Sequence, residues 1–254
     1  MIAPSPWIEA RPGPVAGPVV WRVPIDLDAA GRAACRDLLD EAERGQADRF
    51  HRREDHDRSV GSRAALRLIL GAALDCPPHV LAFPRDVNGK PDLAPPWQGR
   101  LQFNLTHSGS HALIAVSPSH RIGVDVEGIR PIPDLAEFAC RILSVSEREV
   151  FRRLPESAKE DAFYGAWTRK EAVLKALGIG IGFGLERISV SLPPAVPRLL
   201  ALASPGTDAT AWSLHDAHAD ARHPGAVAIE ASGASLQHRT LPAGWFRALP
   251  ERRS

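Results

Sequence analysis

Apolar and polar positions alternate along Ile122-Gly123-Val124-Asp125-Val126-Glu127, the period of a β-strand. Ile122, Val124 and Val126 then face a core, and Gly123, Asp125 and Glu127 share the other face. Upstream, the pattern predicts a strand over 19–25 and a helix over 29–44 with Asp28 as its N-cap. A second helix, over 58–74, carries Ala65, Leu66, Ile69, Leu70 and Ala73 on one stripe and is stopped by Cys76-Pro77-Pro78. Asn88-Gly89-Lys90-Pro91 is turn chemistry. Strands are predicted over 101–105 and 112–117, and Ser117-Pro118-Ser119-His120 then folds the chain back into the Asp125 strand as an antiparallel hairpin.

Beyond Pro131 and Pro133 the helical period returns. Ser144 and Glu147 have the spacing of a capping box, and a long helix over 159–177 ends at Gly178. Short strands follow over 188–192, 209–214 and 225–231, with a frayed tail from 247. Each part mixes helices with a small sheet, so the class is α/β (α+β), with halves 1–127 and 128–254.

Composition narrows the function classes. A net charge of +1 offers no global field for nucleic acid. The local run of Arg44, Arg49, Arg52, Arg53, Arg58, Arg63 and Arg67 is interleaved with Glu54, Asp55 and Asp57, as on a solvated helix face, so an anion site at Arg58 needs independent support. No apolar run is long enough for a bilayer, and the proline-broken first 18 residues lack the basic start and apolar stretch of a secretion signal. Cys35, Cys76 and Cys140 are far apart, odd in number and without metal spacing, which suits reduced thiols in the cytoplasm.

The candidate chemistry lies in two places. Asp125 and Glu127 put two like charges on one strand face, where each raises the other's pKa. Either that face is solvated, or a hard divalent cation such as magnesium sits between the acids. On the long helix, Phe163, Ala166, Trp167, Leu174 and Leu177 form the apolar stripe, Glu171 lies beside it, and Lys175 shares the face of Glu171. An exposed Glu-Lys pair needs no function, but a carboxylate on the core side is costly unless something positive meets it. A metal shared with Asp125 and Glu127 would account for it. His107, at a strand end among small polar residues, reads by itself as structural. The glycine run over 178–184 follows a helix and does not open one, so it reads as a C-cap and a close chain passage in place of a dinucleotide loop.

Taken together, Phe103-Asn104-Leu105-Thr106-His107-Ser108, Gly123-Val124-Asp125-Val126-Glu127 and Trp167-Thr168-Arg169-Lys170-Glu171-Ala172-Val173-Leu174-Lys175 resemble the 4′-phosphopantetheinyl transferases of the Sfp type. Asn88-Gly89-Lys90-Pro91 and the stretch from Arg49-Phe50 to Asp57-Arg58 add to the resemblance, which spans about residues 49–184. It implies two similar α/β halves related by a pseudo-twofold, acting as a monomer, with coenzyme A in the cleft between them. It also implies transfer of the phosphopantetheine arm to a serine of an apo acyl or peptidyl carrier protein. Asp125, Glu127 and Glu171 would hold magnesium; Glu171 would be the base; Lys175 and His107 would contact phosphates. Lys90 and Arg58 would hold the nucleotide end, Lys170 would lie beside the site, and Thr106 stands where the family often has serine.

One departure concerns the 3′-phosphate. Family members often carry lysines upstream of the Arg49-Phe50 stretch, where this chain has Glu43 and Gln46, so the grip on the 3′-phosphate is either weaker or supplied by Arg44 or Arg53. Two rivals share the residues: a magnesium-dependent phosphohydrolase of nucleotides or coenzyme A, and a non-catalytic coenzyme A-binding module.

Overall fold

Strands whose sequences are apolar at nearly every position need cover on both faces, and here two stacked sheets provide it. The structure is a computed structural model describing residues 7–203 and 208–249. Its first part runs β1 (Ile8–Glu9), β2 (Val19–Pro24), α1 (Ala29–Leu38), α2 (Glu41–Ala47), α3 (Arg53–Leu74), β3 (Gln102–Ser108) and β4 (His111–Ser117). Then come β5 (Ile122–Val126), α4 (Leu135–Ile142), α5 (Val145–Arg153) and α6 (Glu156–Leu177). It closes with β6 (Ile188–Val190), β7 (Leu199–Leu202), β8 (Ser213–Asp216), β9 (Gly225–Ile229) and β10 (Gln237–Thr240).

One sheet has the order β1-β10-β2-β4-β3, the other β5-β9-β8, and β6 and β7 form a separate pair. The alternation along each strand assigns its layers. Ala112, Ile114 and Val116 of β4 pack with α1 and α3, whereas Leu113 and Ala115 face the second sheet. On the other side, Val124, Val126 and Val227 meet Leu113 and Ala115, while Ala226 and Ala228 turn to α6. The result is four layers, with helices outside and the sheets back to back between them.

Helix α6 lies unusually close to β5. A Cβ on Gly123 would fall 2.1 Å from the carbonyl oxygen of Ala172 and 2.3 Å from the amide of Ala176. Glycine in the strand and small residues on the helix thus let the two backbones touch.

Several sequence expectations are corrected. β4 and β5 form no hairpin: both edges of β4 are taken by β2 and β3, and β5 pairs antiparallel with β9. Asn104 Oδ1 of β3 instead accepts the Val124 amide at 2.9 Å, linking the sheets through a side chain. β5 lies in the second sheet and β10 in the first, so strands from both sides of residue 127 meet in each. The helix expected over 29–44 is two, because Asp40 caps a new one with a capping box to Glu43 after Leu39 turns extended. The second predicted helix begins at Arg53, five residues early, and α6 begins at Glu156. Residues 209–211 are a 3₁₀ turn, with the strand following at Ser213. Gly178 is the left-handed cap of α6 and packs against the 86–90 turn, where a Cβ would lie 3.3 Å from Lys90, whereas Gly180 and Gly182 have open space around them. Trp245 and Phe246 are buried and Arg247 reaches Asp28 at 2.9 Å, so the C-terminal segment is anchored as far as the 3₁₀ turn Trp245–Ala248. Residues 1–6 of the proline-broken start and 250–254 of the tail lie outside the described residues.

The contact at Gly123 is testable. Gly123→Ala must push α6 outward, and we expect a loss of about 3 kcal/mol or more in urea-unfolding free energy, against a small effect for the unencumbered Gly180→Ala control. Equal effects would show that the crossing is not tight.

Candidate active site at the crossing of β5 and α6

The site assembles because β3, β5 and α6 meet. Asp125, buried on β5, points its Oδ1 at Lys175 Nζ of α6, 2.6 Å away, and at Thr106 Oγ1 of β3, which donates at 3.3 Å. Lys175 also donates to Thr106 Oγ1 at 3.3 Å. Glu171 precedes Lys175 by one helical turn. Two carboxylate oxygens here, Asp125 Oδ2 and Glu171 Oε1, are buried without a hydrogen-bond partner. Buried carboxylate oxygens normally find one.

Electrostatics sharpen the picture. Burial, then the neighbouring Asp125, pushes the Glu127 carboxyl up to about 7, against the pull of Lys175 and Arg130. Glu171 is raised for the same two reasons, with Lys175 opposing. Lys175 and Arg130 therefore only partly offset the crowding of carboxyls at the site. Orphaned oxygens, an all-oxygen donor set and raised carboxyls fit a hard divalent cation, and Asp125, Glu127 and Glu171 are the residues that would hold it.

Two pockets open on either side of Lys175. One, of about 290 Å³, is lined by Gln46, Phe50, Arg63, Thr106 and His107. Enclosure by protein, followed by the charge of Arg58 and then those of Lys175 and Arg63, lowers the His107 pKa and keeps the imidazole neutral at pH 7. The other is lined by Lys90, Asn104, Glu171, Leu174 and Gly178. There Lys90 Nζ donates to the Ala176 carbonyl at 3.0 Å, and Asn88 Nδ2 to that of Gly178 at 2.8 Å, stitching the Asn88-Gly89 turn to the end of α6.

The expected residues do not all converge. Arg58 stands on the His107 side, its Nε on the Glu54 carbonyl and its Nη1 3.1 Å from Asp55, while Lys90 stands on the Glu171 side. Lys170, expected beside the site, is fully buried and lines neither pocket, donating to Ile142 O, Leu185 O and Glu147 Oε2. It follows Arg169, which is equally buried and grips Asp216 through two hydrogen bonds of 3.0 and 2.9 Å. These neighbours hold the helix, leaving Glu171 and Lys175 for the cleft.

The arginine run also divides. Arg67 is buried on Glu43 and Asp40, and Arg44 is spent on the carbonyls of Arg36 and Asp37. Arg53 is largely in solvent beside Asp57. Arg63, not singled out as a site residue from the sequence, is the arginine that lines the His107 pocket. Its signal was its place beside the apolar stripe of α3.

Orphaned carboxylate oxygens of Asp125 and Glu171 beside Lys175, with Arg63 and His107 lining the adjoining pocket, make a cleft suited to a phosphorylated ligand with a divalent cation. Residues 121–228 match the profile of the 4′-phosphopantetheinyl transferase superfamily, and residues 30–119 that of the 4′-phosphopantetheinyl transferase N-terminal region. The chain is 37% identical over 215 residues to the 4′-phosphopantetheinyl transferase HetI of Nostoc sp., covering 84% of this chain and 88% of that protein. It belongs to the 4′-phosphopantetheinyl transferase superfamily. The human L-aminoadipate-semialdehyde dehydrogenase-phosphopantetheinyl transferase is 27% identical over 203 residues, covering 74% of this chain and 65% of that one. The crystal structure of Thermotoga maritima holo-[acyl-carrier-protein] synthase aligns at 26% identity over 44% of this chain and 62% of that one, with a TM-score of 0.34. Among the described residues no helix is long and apolar enough to cross a membrane.

A raised carboxyl has a stability signature. Without divalent cation, folded Glu127 keeps its proton up to about pH 7, whereas the unfolded chain releases it near the ordinary value of 4.5. Its contribution is therefore favourable at low pH and is lost as pH rises through that window. Histidines with lowered pKa values such as His107 pull the other way, so the comparison must be differential. We expect Glu127→Gln to gain melting temperature relative to the parent between about pH 5 and 8. A pH-independent difference would contradict the raised carboxyl.

Proposed function

We propose that this protein transfers the 4′-phosphopantetheine arm of coenzyme A to a serine of an apo acyl or peptidyl carrier protein, releasing 3′,5′-ADP. The observation that carries this reading is the juxtaposition, in a member of this superfamily, of the orphaned oxygens of Asp125 and Glu171 with Lys175 in one cleft. The serine oxygen forms a bond to the phosphorus bearing the pantetheine arm, and the bond from that phosphorus to the oxygen of 3′,5′-ADP breaks. The serine proton goes to Glu171, whose raised pKa suits a base.

Such a transfer asks the protein mainly for position and charge. Lys175 borders both pockets and would neutralise phosphate charge, with neutral His107 as hydrogen-bond partner and Arg63 as a further cation lining the His107 pocket. Thr106, hydrogen-bonded to both Asp125 and Lys175, would set the register of that pair. Magnesium, held by Asp125, Glu127 and Glu171, would supply Lewis-acid charge for the pyrophosphate. The Asn88-Gly89-Lys90 turn, tied to the end of α6, would flank the nucleotide. Arg44 is committed to backbone carbonyls, so the 3′-phosphate would rely on Arg63 and Gln46 in place of the family's lysines.

Intact mass spectrometry of apo carrier proteins, incubated with this protein, coenzyme A and magnesium, tests the reaction. We expect a gain of one phosphopantetheine arm that EDTA abolishes, while consumption of coenzyme A without carrier modification would identify a hydrolase. Asp125→Ala is expected to cut turnover by roughly 100-fold or more with the melting transition retained. Near-normal turnover in that folded variant would remove the metal reading.

A further inference from the structure

Away from the acidic cleft, the turn between β3 and β4 meets the turn between β8 and β9. His111, the first residue of β4, places its Nε2 2.9 Å from Asp220 Oδ2, and His223 places its Nδ1 2.8 Å from Asp220 Oδ1. Ligand atoms of the three lie within 4.8 Å of one another. We propose that His111, Asp220 and His223 form a second cation site, for a borderline transition-metal ion of the zinc or cobalt class, that clips the two sheets together.

The donor set decides the metal. Two imidazoles and one carboxylate suit zinc, cobalt or nickel and disfavour magnesium, whereas the acidic cleft offers only carboxylate oxygens among its acids. The spacing is close to what such an ion needs. Tetrahedral ligands about 2.0–2.1 Å from the metal stand ~3.3 Å apart, so an ion would open the two imidazole–carboxylate separations slightly and draw together ligand atoms that all lie within 4.8 Å of one another. Asp220 is already oriented, because its Oδ1 also accepts the Arg222 amide at 2.8 Å. Room for the second imidazole comes from glycines: a Cβ on Gly109 would lie 2.5 Å from His223 Nε2, and one on Gly128 3.2 Å. The histidines are mostly covered, at 18% and 20% exposure, while Asp220 at 44% leaves an entry path. Burial lowers the His111 pKa, so the imidazole is neutral and ready to bind at pH 7.

The position has a mechanical consequence. The carbonyls of Arg222 and Pro224, in and after this turn, accept the amides of Ile129 and Glu127 at 2.8 and 3.0 Å. An ion on His223 and Asp220 therefore stiffens the segment that carries Glu127 out of β5.

Cobalt(II) titrated into the tag-free protein, in excess magnesium, reads the site directly. We expect visible ligand-field bands that saturate at one equivalent and are displaced by zinc. His111→Ala and His223→Ala should each weaken cobalt binding ~10-fold or more, and Glu127→Gln should leave it unchanged. Asp220→Asn, on the exposed turn, replaces His111→Ala if that strand variant does not fold. Absence of bands at one equivalent, or bands lost with Glu127→Gln and retained without the histidines, would overturn the proposal. The outcome is independent of transferase activity.

Discussion

The contact of α6 with β5 at Gly123 governs the molecule. Strand and helix backbones touch there because neither carries side-chain bulk: glycine on one, Ala172 and Ala176 on the other. Asp125 lies two residues along the strand from Gly123, and Glu171 and Lys175 stand immediately before Ala172 and Ala176. The same closeness that removes water from the interface brings a strand carboxylate within 2.6 Å of a helix ammonium. A longer side chain at 123 would separate the site's two halves before it disturbed any functional group.

Closeness alone does not set the rotation of a helix, and here buried polar ties do. Arg169 locks α6 to β8 through Asp216, and Lys170 locks it to α5 through Glu147. Glu147 also closes the capping box with Ser144 and accepts the Val190 amide at 2.7 Å. Such pairs cost desolvation and add little net stability, but leaving one partner alone is expensive. A rotation of α6 would orphan both, so the faces bearing Glu171 and Lys175 are held to one orientation.

Much of this was legible in the sequence. Alternation along 122–127 separated core from site, helix spacing put Glu171 and Lys175 on one face, and Ser144 with Glu147 announced a helix start. What stayed hidden was non-local. Nothing between Ser117 and Arg121 says that β4 has two partners already, so a short turn looked like a hairpin. The Asp40-Glu43 box was present but masked by continuous helical propensity around it. The surroundings of Lys170 and Arg63 were not legible because they depend on what a charged side chain's stem reaches; one is enclosed by three acceptors and the other borders a pocket. His223 was invisible as a ligand because its partner His111 is more than a hundred residues away.

The order β1-β10-β2 has a consequence for how the chain comes off the ribosome. β2 pairs in parallel with β10, residues Val19 to Arg22 lying beside Gln237 to Thr240. Helices α1 and α3 and strands β2 to β4 emerge early, yet the sheet they rest on keeps an open edge at β2 until β10 has been synthesised. An open strand edge is a template for pairing with other chains, and such long-range closure is slow. The nascent first layer thus exposes a pairing edge until β10 arrives.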